Sequence, residues 1–201
     1  MQLTPPPLDP GTFADVLAGA QAGEAWAAEA LFIDLQPRLL RFLRSTESRV
    51  ADDIAGDVWL AMAKGITAFE GDLDGFRSWV FSIARRRVAD FRRTAVRRRT
   101  DPVDYEYFTE LAGVADTSDA AIAALSGQAA IDLVTRLLPP DQAEVLLLRI
   151  VADLDVAHVA EVMDRPATWV RVAQHRALRR LAAVMERNAE LRVTPAAGRT
   201  I

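Results

Sequence analysis

Apolar residues along this chain recur every three or four positions rather than every second one, a spacing that predicts helices throughout. Phe13, Val16 and Leu17 mark a first short helix, with Thr12 placed to cap it. Trp26, Ala30, Phe32 and Ile33 mark a second, running from near Gly23 towards Leu35. Pro37 then fits the first turn of a separate segment that turns Leu39, Leu40 and Leu43 inward. From Ala51 to Lys64 the apolar side carries Ile54, Val58, Leu60 and Met62, while Asp52, Asp53 and Asp57 lie near the helix start. Acids at that end also complement the helix dipole, so position alone does not assign them a partner.

After the acidic loop Phe69 to Gly75 comes the most unusual stretch, Phe76 to Arg99, with nine arginines against the single acid Asp90. At 100° per residue Phe76, Val80, Ile83, Ala84 and Phe91 share one arc. Ser78, Ser82, Arg85, Ala89, Arg92 and Arg93 share the opposite one, with Trp79 and Arg86 on a border. Arg87 falls inside the apolar arc, where it must snorkel or meet an acid. Like charges this dense repel one another unless a polyanion is present, and interleaved aromatics suit base stacking. Trp79 fits two roles, as core or as a wall against a base.

The last third divides into four helices. Gly127 to Leu138 ends at Pro139-Pro140, and Asp141 to Val151 is strongly apolar. Asp155 can cap a third helix whose inner face is Val156, Val159, Ala160 and Met163. Asp164-Arg165 turns into a fourth, Ala167 to Met185, opened by Pro166. Val170, Ala173, Ala177 and Leu181 face inward, leaving Arg171, Gln174, His175, Arg176 and Arg179 for a partner. Two short helices across a tight turn, the second rich in Arg and Gln, describe a helix-turn-helix suited to base edges in a major groove.

Composition narrows the classes. The chain has 201 residues, about half hydrophobic, and a net charge of −4 that is unevenly spread. Thr100 to Ser126 carries six acids and no basic residue, and reads as a linker reaching roughly 85 Å if extended. Without cysteine, disulfides and thiolate metal sites are excluded, and His158 and His175 lie on different helices. No glycine-rich phosphate loop or nucleophile motif is present, so neither a catalytic residue, a metal nor a cofactor is expected. No run is long and apolar enough for a membrane span and no signal peptide is read, so the expectation is a cytoplasmic protein.

The runs ADDIAGDVW and FEGDLDGFRSWVFSIARRRVADFRR resemble the second conserved region of bacterial sigma factors of the extracytoplasmic-function (ECF) group. LPPDQAEVLLLRIVADLDVAHVAEVMDRPATWVRVAQHRALRRL is similar to their fourth region. The resemblance implies an all-α protein that binds core RNA polymerase, at its clamp and flap, together with promoter DNA, and that meets an anti-sigma factor. It implies polymerase contacts at Asp52, Asp53, Asp57 and Val58. Minus-ten contacts would fall to Glu70, Gly71, Asp72, Gly75, Trp79, Arg85, Arg86, Arg92 and Arg93. Minus-thirty-five contacts would fall to Thr168, Trp169, Arg171, Gln174, His175, Arg176 and Arg179. Gly56, Arg86, Asp155, Asp164 and Trp169 stand where the family more often has glutamine, asparagine, serine or threonine, glycine and threonine.

The expected organisation is a lead-in over 1–11, a first helical domain over 12–99 and an acidic linker over 100–126. A helix-turn-helix domain over 127–186 and a tail over 187–201 complete it. Against the sigma-factor reading stands a free-standing helix-turn-helix regulator with an N-terminal sensing domain. A helical enzyme using the acids of 52–57 and 70–74 ranks behind both.

Overall fold

A computed structural model describes residues 8–100 and 119–193, and every regular element among them is helical. The first four helices are α1 (Phe13–Gln21), α2 (Ala25–Glu47), α3 (Ala51–Gly65) and α4 (Leu73–Thr100). The second four are α5 (Asp119–Leu137), α6 (Pro140–Ile150), α7 (Val156–Met163) and α8 (Ala167–Val193).

The N-terminal unit is built round α2, which packs against α1, α3 and α4. Pro37 lies inside α2 and does not begin a new segment. An interior proline forfeits one backbone hydrogen bond and crowds a carbonyl, at about 3 kcal/mol. Yet Leu31, Leu35, Leu39, Phe42 and Leu43 form one buried stripe across that point, and each such side chain returns about 1.5–3 kcal/mol. Burial of the stripe outweighs the proline. In the centre, Phe42 meets Phe81 edge-on at 5.4 Å and Phe13 meets Phe76 at the same separation.

Two helix starts differ from the sequence reading for the same chemical reason. Thr12 makes no side-chain cap to α1. Asp9 organises that turn, its carboxylate accepting from the N–H groups of Gly11 (2.8 Å) and Thr12 (3.0 Å). Helix α4 begins at Leu73 instead of Phe76, because the Asp72 carboxylate accepts from Gly75 N–H at 2.8 Å and holds an earlier first turn. Leu60 is more than half exposed, not inward-facing.

In the C-terminal unit α6, α7 and α8 pack on one another, with α5 alongside. Asp155 caps α7 by accepting from His158 N–H at 2.8 Å. Asp164 closes that helix in the left-handed conformation (φ 52°), and Arg165 N–H bonds back to Ala160 O at 2.9 Å. Helix α5 starts at Asp119, inside the stretch read as linker, and α8 continues to Val193, beyond Met185. The expected features at residues 1–7, 101–118 and 194–201 lie outside the described residues.

The units are not held apart. Helix α7 lies along α4, α5 touches α2, and one apolar cluster includes Phe42, Phe76 and Phe81 together with Leu148, Leu154 and Val159.

Candidate nucleic-acid interface

Three surfaces carry the residues singled out by sequence. On the first, Asp52, Asp53 and Asp57 are exposed on α3, and Arg44 pairs with Asp52 at 3.3 Å. Val58 is 1% exposed, so it anchors this helix from within and cannot touch a partner; the expectation of a Val58 contact is corrected. The apolar members of the surface come from elsewhere. Leu60 on α3 and Phe32 and Ile33 on α2 are exposed, and the Phe32 ring lies 5.1 Å from that of Trp59. Trp59 is fixed in turn by donating from Nε1 to Gln36 Oε1 at 2.5 Å. The buried stripe centred on Leu31 and Leu35 turns Phe32 and Ile33 to solvent.

The second surface is the loop before α4 and the helix itself. Glu70, Gly71 and Asp72 are exposed, and Gly71 has φ 153°, a conformation that side chains rarely adopt. Phe69 packs between Phe76 (5.1 Å) and Trp79 (5.3 Å). Trp79 is half-buried against the core, and its ring sits so close to Gly65 that a Cβ there would lie 2.8 Å from it. One residue that sequence reasoning missed holds this loop. Gln21, at the end of α1, donates from Nε2 to Ile66 O (3.0 Å) and to Phe69 O (2.9 Å). Nothing local in the sequence couples positions 45 and 48 residues apart.

Along α4 the buried arc is centred on Arg77, Phe81, Ala84 and Val88, turned away from the arc predicted through Ile83 and Phe91. That rotation exchanges two arginines. Arg87 is exposed and needs no buried partner, whereas the side chain of Arg77 is only 7% exposed. Its Nη2 donates to Asp34 (3.2 and 3.3 Å) and its Nη1 reaches Asp153 at 3.5 Å. Of the arginines assigned to phosphates, Arg86 is exposed. The others are engaged within the chain: Arg85 with Glu144 (3.0 Å), Arg92 with Glu47 and Thr46 O, and Arg93 with Asp90.

The third surface is α8. Thr168, Arg171, His175 and Arg179 recur at i, i+3, i+7 and i+11 and are exposed, with Arg176 beside them, so they form one continuous polar stripe that carries three arginines. Two members of the expected set depart from it. Gln174 is half-buried with Oε1 enclosed and unpartnered, because it adjoins the inward row of Val170, Ala173 and Ala177. Trp169 packs on the core, with the Arg165 guanidinium 5.6 Å from its ring. At the start of α7, the Asp155 carboxyl is held below its ordinary range, chiefly by the backbone N–H of His158.

Among the described residues, no cluster of three or more His, Asp or Glu could hold a metal ion, and no helix is long and apolar enough to cross a membrane.

Comparison with known proteins matches residues 31–98 to the family model for sigma-70 region 2 and residues 128–181 to that for sigma-70 region 4. The ECF RNA polymerase sigma factor SigD of Mycobacterium tuberculosis is 32% identical over 178 residues, covering 83% of this chain and 80% of the relative. The ECF RNA polymerase sigma factor ShbA of Streptomyces griseus is 29% identical over 175 residues, covering 83% of this chain and 92% of the relative. In fold the chain is similar to CnrH, solved in complex with the cytosolic domain of CnrY, with a TM-score of 0.59 at 19% identity. That match covers 86% of this chain and 96% of CnrH.

Proposed function

The chain belongs to the ECF group of sigma-70 factors, and from that premise we propose how its surfaces divide the work. As a member of the group it acts with RNA polymerase in promoter-specific initiation of transcription. In our reading Asp52, Asp53 and Asp57, with the exposed Phe32, Ile33 and Leu60 around them, dock on the polymerase clamp. The Glu70–Gly75 loop and Trp79 take a base of the opened minus-ten element, while Arg85, Arg86, Arg92 and Arg93 hold its phosphates. The α8 stripe of Thr168, Arg171, His175, Arg176 and Arg179 enters the major groove of the minus-thirty-five element, and its unit meets the flap. The protein works by binding in the cytoplasm, with no chemistry of its own. An anti-sigma factor completes the set of partners, a reading supported by the fold shared with CnrH and its complex with CnrY.

The observation that carries this division is that both matched regions occur in order on one chain, each with an exposed charged face of the sign its partner requires. Exposed ion pairs are individually weak, so loss of one acid does less than reversal of its charge. Asp53→Arg is expected to lower co-purification with core polymerase at least severalfold and to abolish promoter-directed transcripts in reconstituted reactions. Unchanged co-purification of Asp53→Arg would move the docking face away from α3.

A further inference from the structure

Between α2 and α4 on one side and α5 and α6 on the other lies a cleft of about 180 Å³. Protein interiors pack to crystal density, so a hollow of this size holds either water or a ligand. Its walls favour the ligand. Phe42, Val88, Ala143 and Leu147 line the cleft and are buried, whereas an ordered water needs two to four polar partners. An apolar cavity of about 150 Å³ already admits benzene, so one six-membered ring fits against these side chains.

The remaining walls are polar and closer to solvent. Ser45, Thr46, Thr135, Arg85 and Glu144 are half-buried, and Arg92 is exposed. The hydroxyl hydrogens are turned away into their own helices. Ser45 Oγ donates to Phe42 O (2.6 Å), Thr46 Oγ1 to Leu43 O (3.0 Å) and Thr135 Oγ1 to Ile131 O (3.1 Å). What these three groups offer the cleft is therefore lone pairs. The two arginines offer donors. Arg85 meets Glu144 through Nε, and Arg92 meets Glu47 through Nε and Thr46 O through Nη2. Those bonds use neither terminal nitrogen of Arg85, nor Nη1 of Arg92. A guanidinium that holds one carboxylate has room for a second, as Arg77 of the same helix shows by lying between Asp34 and Asp153.

We propose that this cleft binds a small hydroxy-substituted aromatic carboxylic acid. The ring lies against Phe42, Val88 and Leu147, and the carboxylate accepts from the terminal nitrogens of Arg85 and Arg92. The ligand hydroxyl donates to Thr135, which approaches from the other unit. Such a ligand touches two helices of each unit, so the junction between them becomes responsive to a small acid. Nothing in this site requires the minus-ten assignment of Arg85 and Arg92, and it is tested on the protein without DNA.

The probe is 4-hydroxybenzoate, added to the full-length protein and followed by saturation-transfer NMR and titration calorimetry. A ligand of this size is expected to bind with a Kd on the order of 0.1–1 mM. Benzoate, which lacks the hydroxyl, should bind about 3–10-fold more weakly, the loss of one hydrogen bond. The uncharged 4-hydroxybenzamide should bind about 10-fold more weakly, and acetate, which has no ring, should give no signal. Thr135→Leu fills the cleft from a half-buried position and should abolish binding, with helicity by circular dichroism unchanged. Arg85→Gln, also at a half-buried position, should remove the preference for acid over amide while leaving weak binding of both. Absence of binding to the wild-type protein up to about 10 mM probe would mean a water-filled cleft and would overturn the proposal. Equal affinity for acid and amide in the wild type would do the same, as would undiminished binding to a folded Thr135→Leu. Should Thr135→Leu not fold, a preference for acid that persists in Arg85→Gln overturns the site, and its loss supports it.

Discussion

At the scale of single residues, the helix-turn-helix depends on one carboxylate. Asp155 stands where a serine or threonine would serve, and it caps α7 through the N–H of His158. Replacing a cap by alanine costs about 0.5–2 kcal/mol, so Asp155→Ala should lower the urea midpoint at neutral pH, whereas Asp155→Asn, an equally good cap, should not. The carboxyl is depressed in the folded chain, so its extra stability is fully present above the ordinary carboxylate pKa. It is lost as pH falls through the lower folded value, because the unfolded chain then binds a proton first. Titration of urea midpoints from pH 7 towards pH 3 should accordingly show a shallower acid decline for Asp155→Asn than for wild type. Equal midpoints for all three proteins at neutral pH would remove the capping role. This much was readable in advance, since N-capping is local. Arg77 was not readable: its burial follows from where Asp34 and Asp153 sit, 43 and 76 residues away.

At the scale of elements, helical spacing predicted where helices lie far better than which way they turn. The arc of α4 was misplaced because Phe81 was left out of it and the exposed Phe91 was included. Phe81 is buried by the edge-on contact with Phe42 of α2, which no periodicity within α4 contains. The loop before α4 shows the same limit. Its glycines and acids mark it as a loop, but its placement comes from α1, which lies outside the matched region beginning at residue 31. Gln21 spends both amide hydrogens on Ile66 O and Phe69 O. Gln21→Glu keeps the shape but puts acceptor against acceptor, and Gln21→Leu removes the donors altogether. Both are expected to reduce discrimination between minus-ten and scrambled single-stranded oligonucleotides about 5–10-fold, the loss of one to two hydrogen bonds' positioning. Binding of core polymerase should be unaffected. Equal loss of affinity for both oligonucleotides would assign Gln21 to general folding instead of to the loop.

At the scale of the whole molecule, the all-helical fold in two units was legible in the sequence, while the packing of the units on each other was not. A linker with the reach to separate two modules says nothing about whether they separate. The contacts that join them pair residues scattered over α2, α4, α6 and the loop before α7. That packing has a thermodynamic consequence. Apolar residues of both units belong to one cluster, so unfolding either exposes surface of the other. The wild-type chain at low salt is therefore expected to unfold in one calorimetric transition, with calorimetric and van't Hoff enthalpies equal. Glu144→Arg with Asp153→Arg weakens the junction without touching either interior, and should split the transition in two. The N-terminal unit, with Phe42, Phe76, Phe81 and four leucines fully buried, should melt last. A single transition with equal enthalpies in the variant would mean that apolar contact alone couples the units.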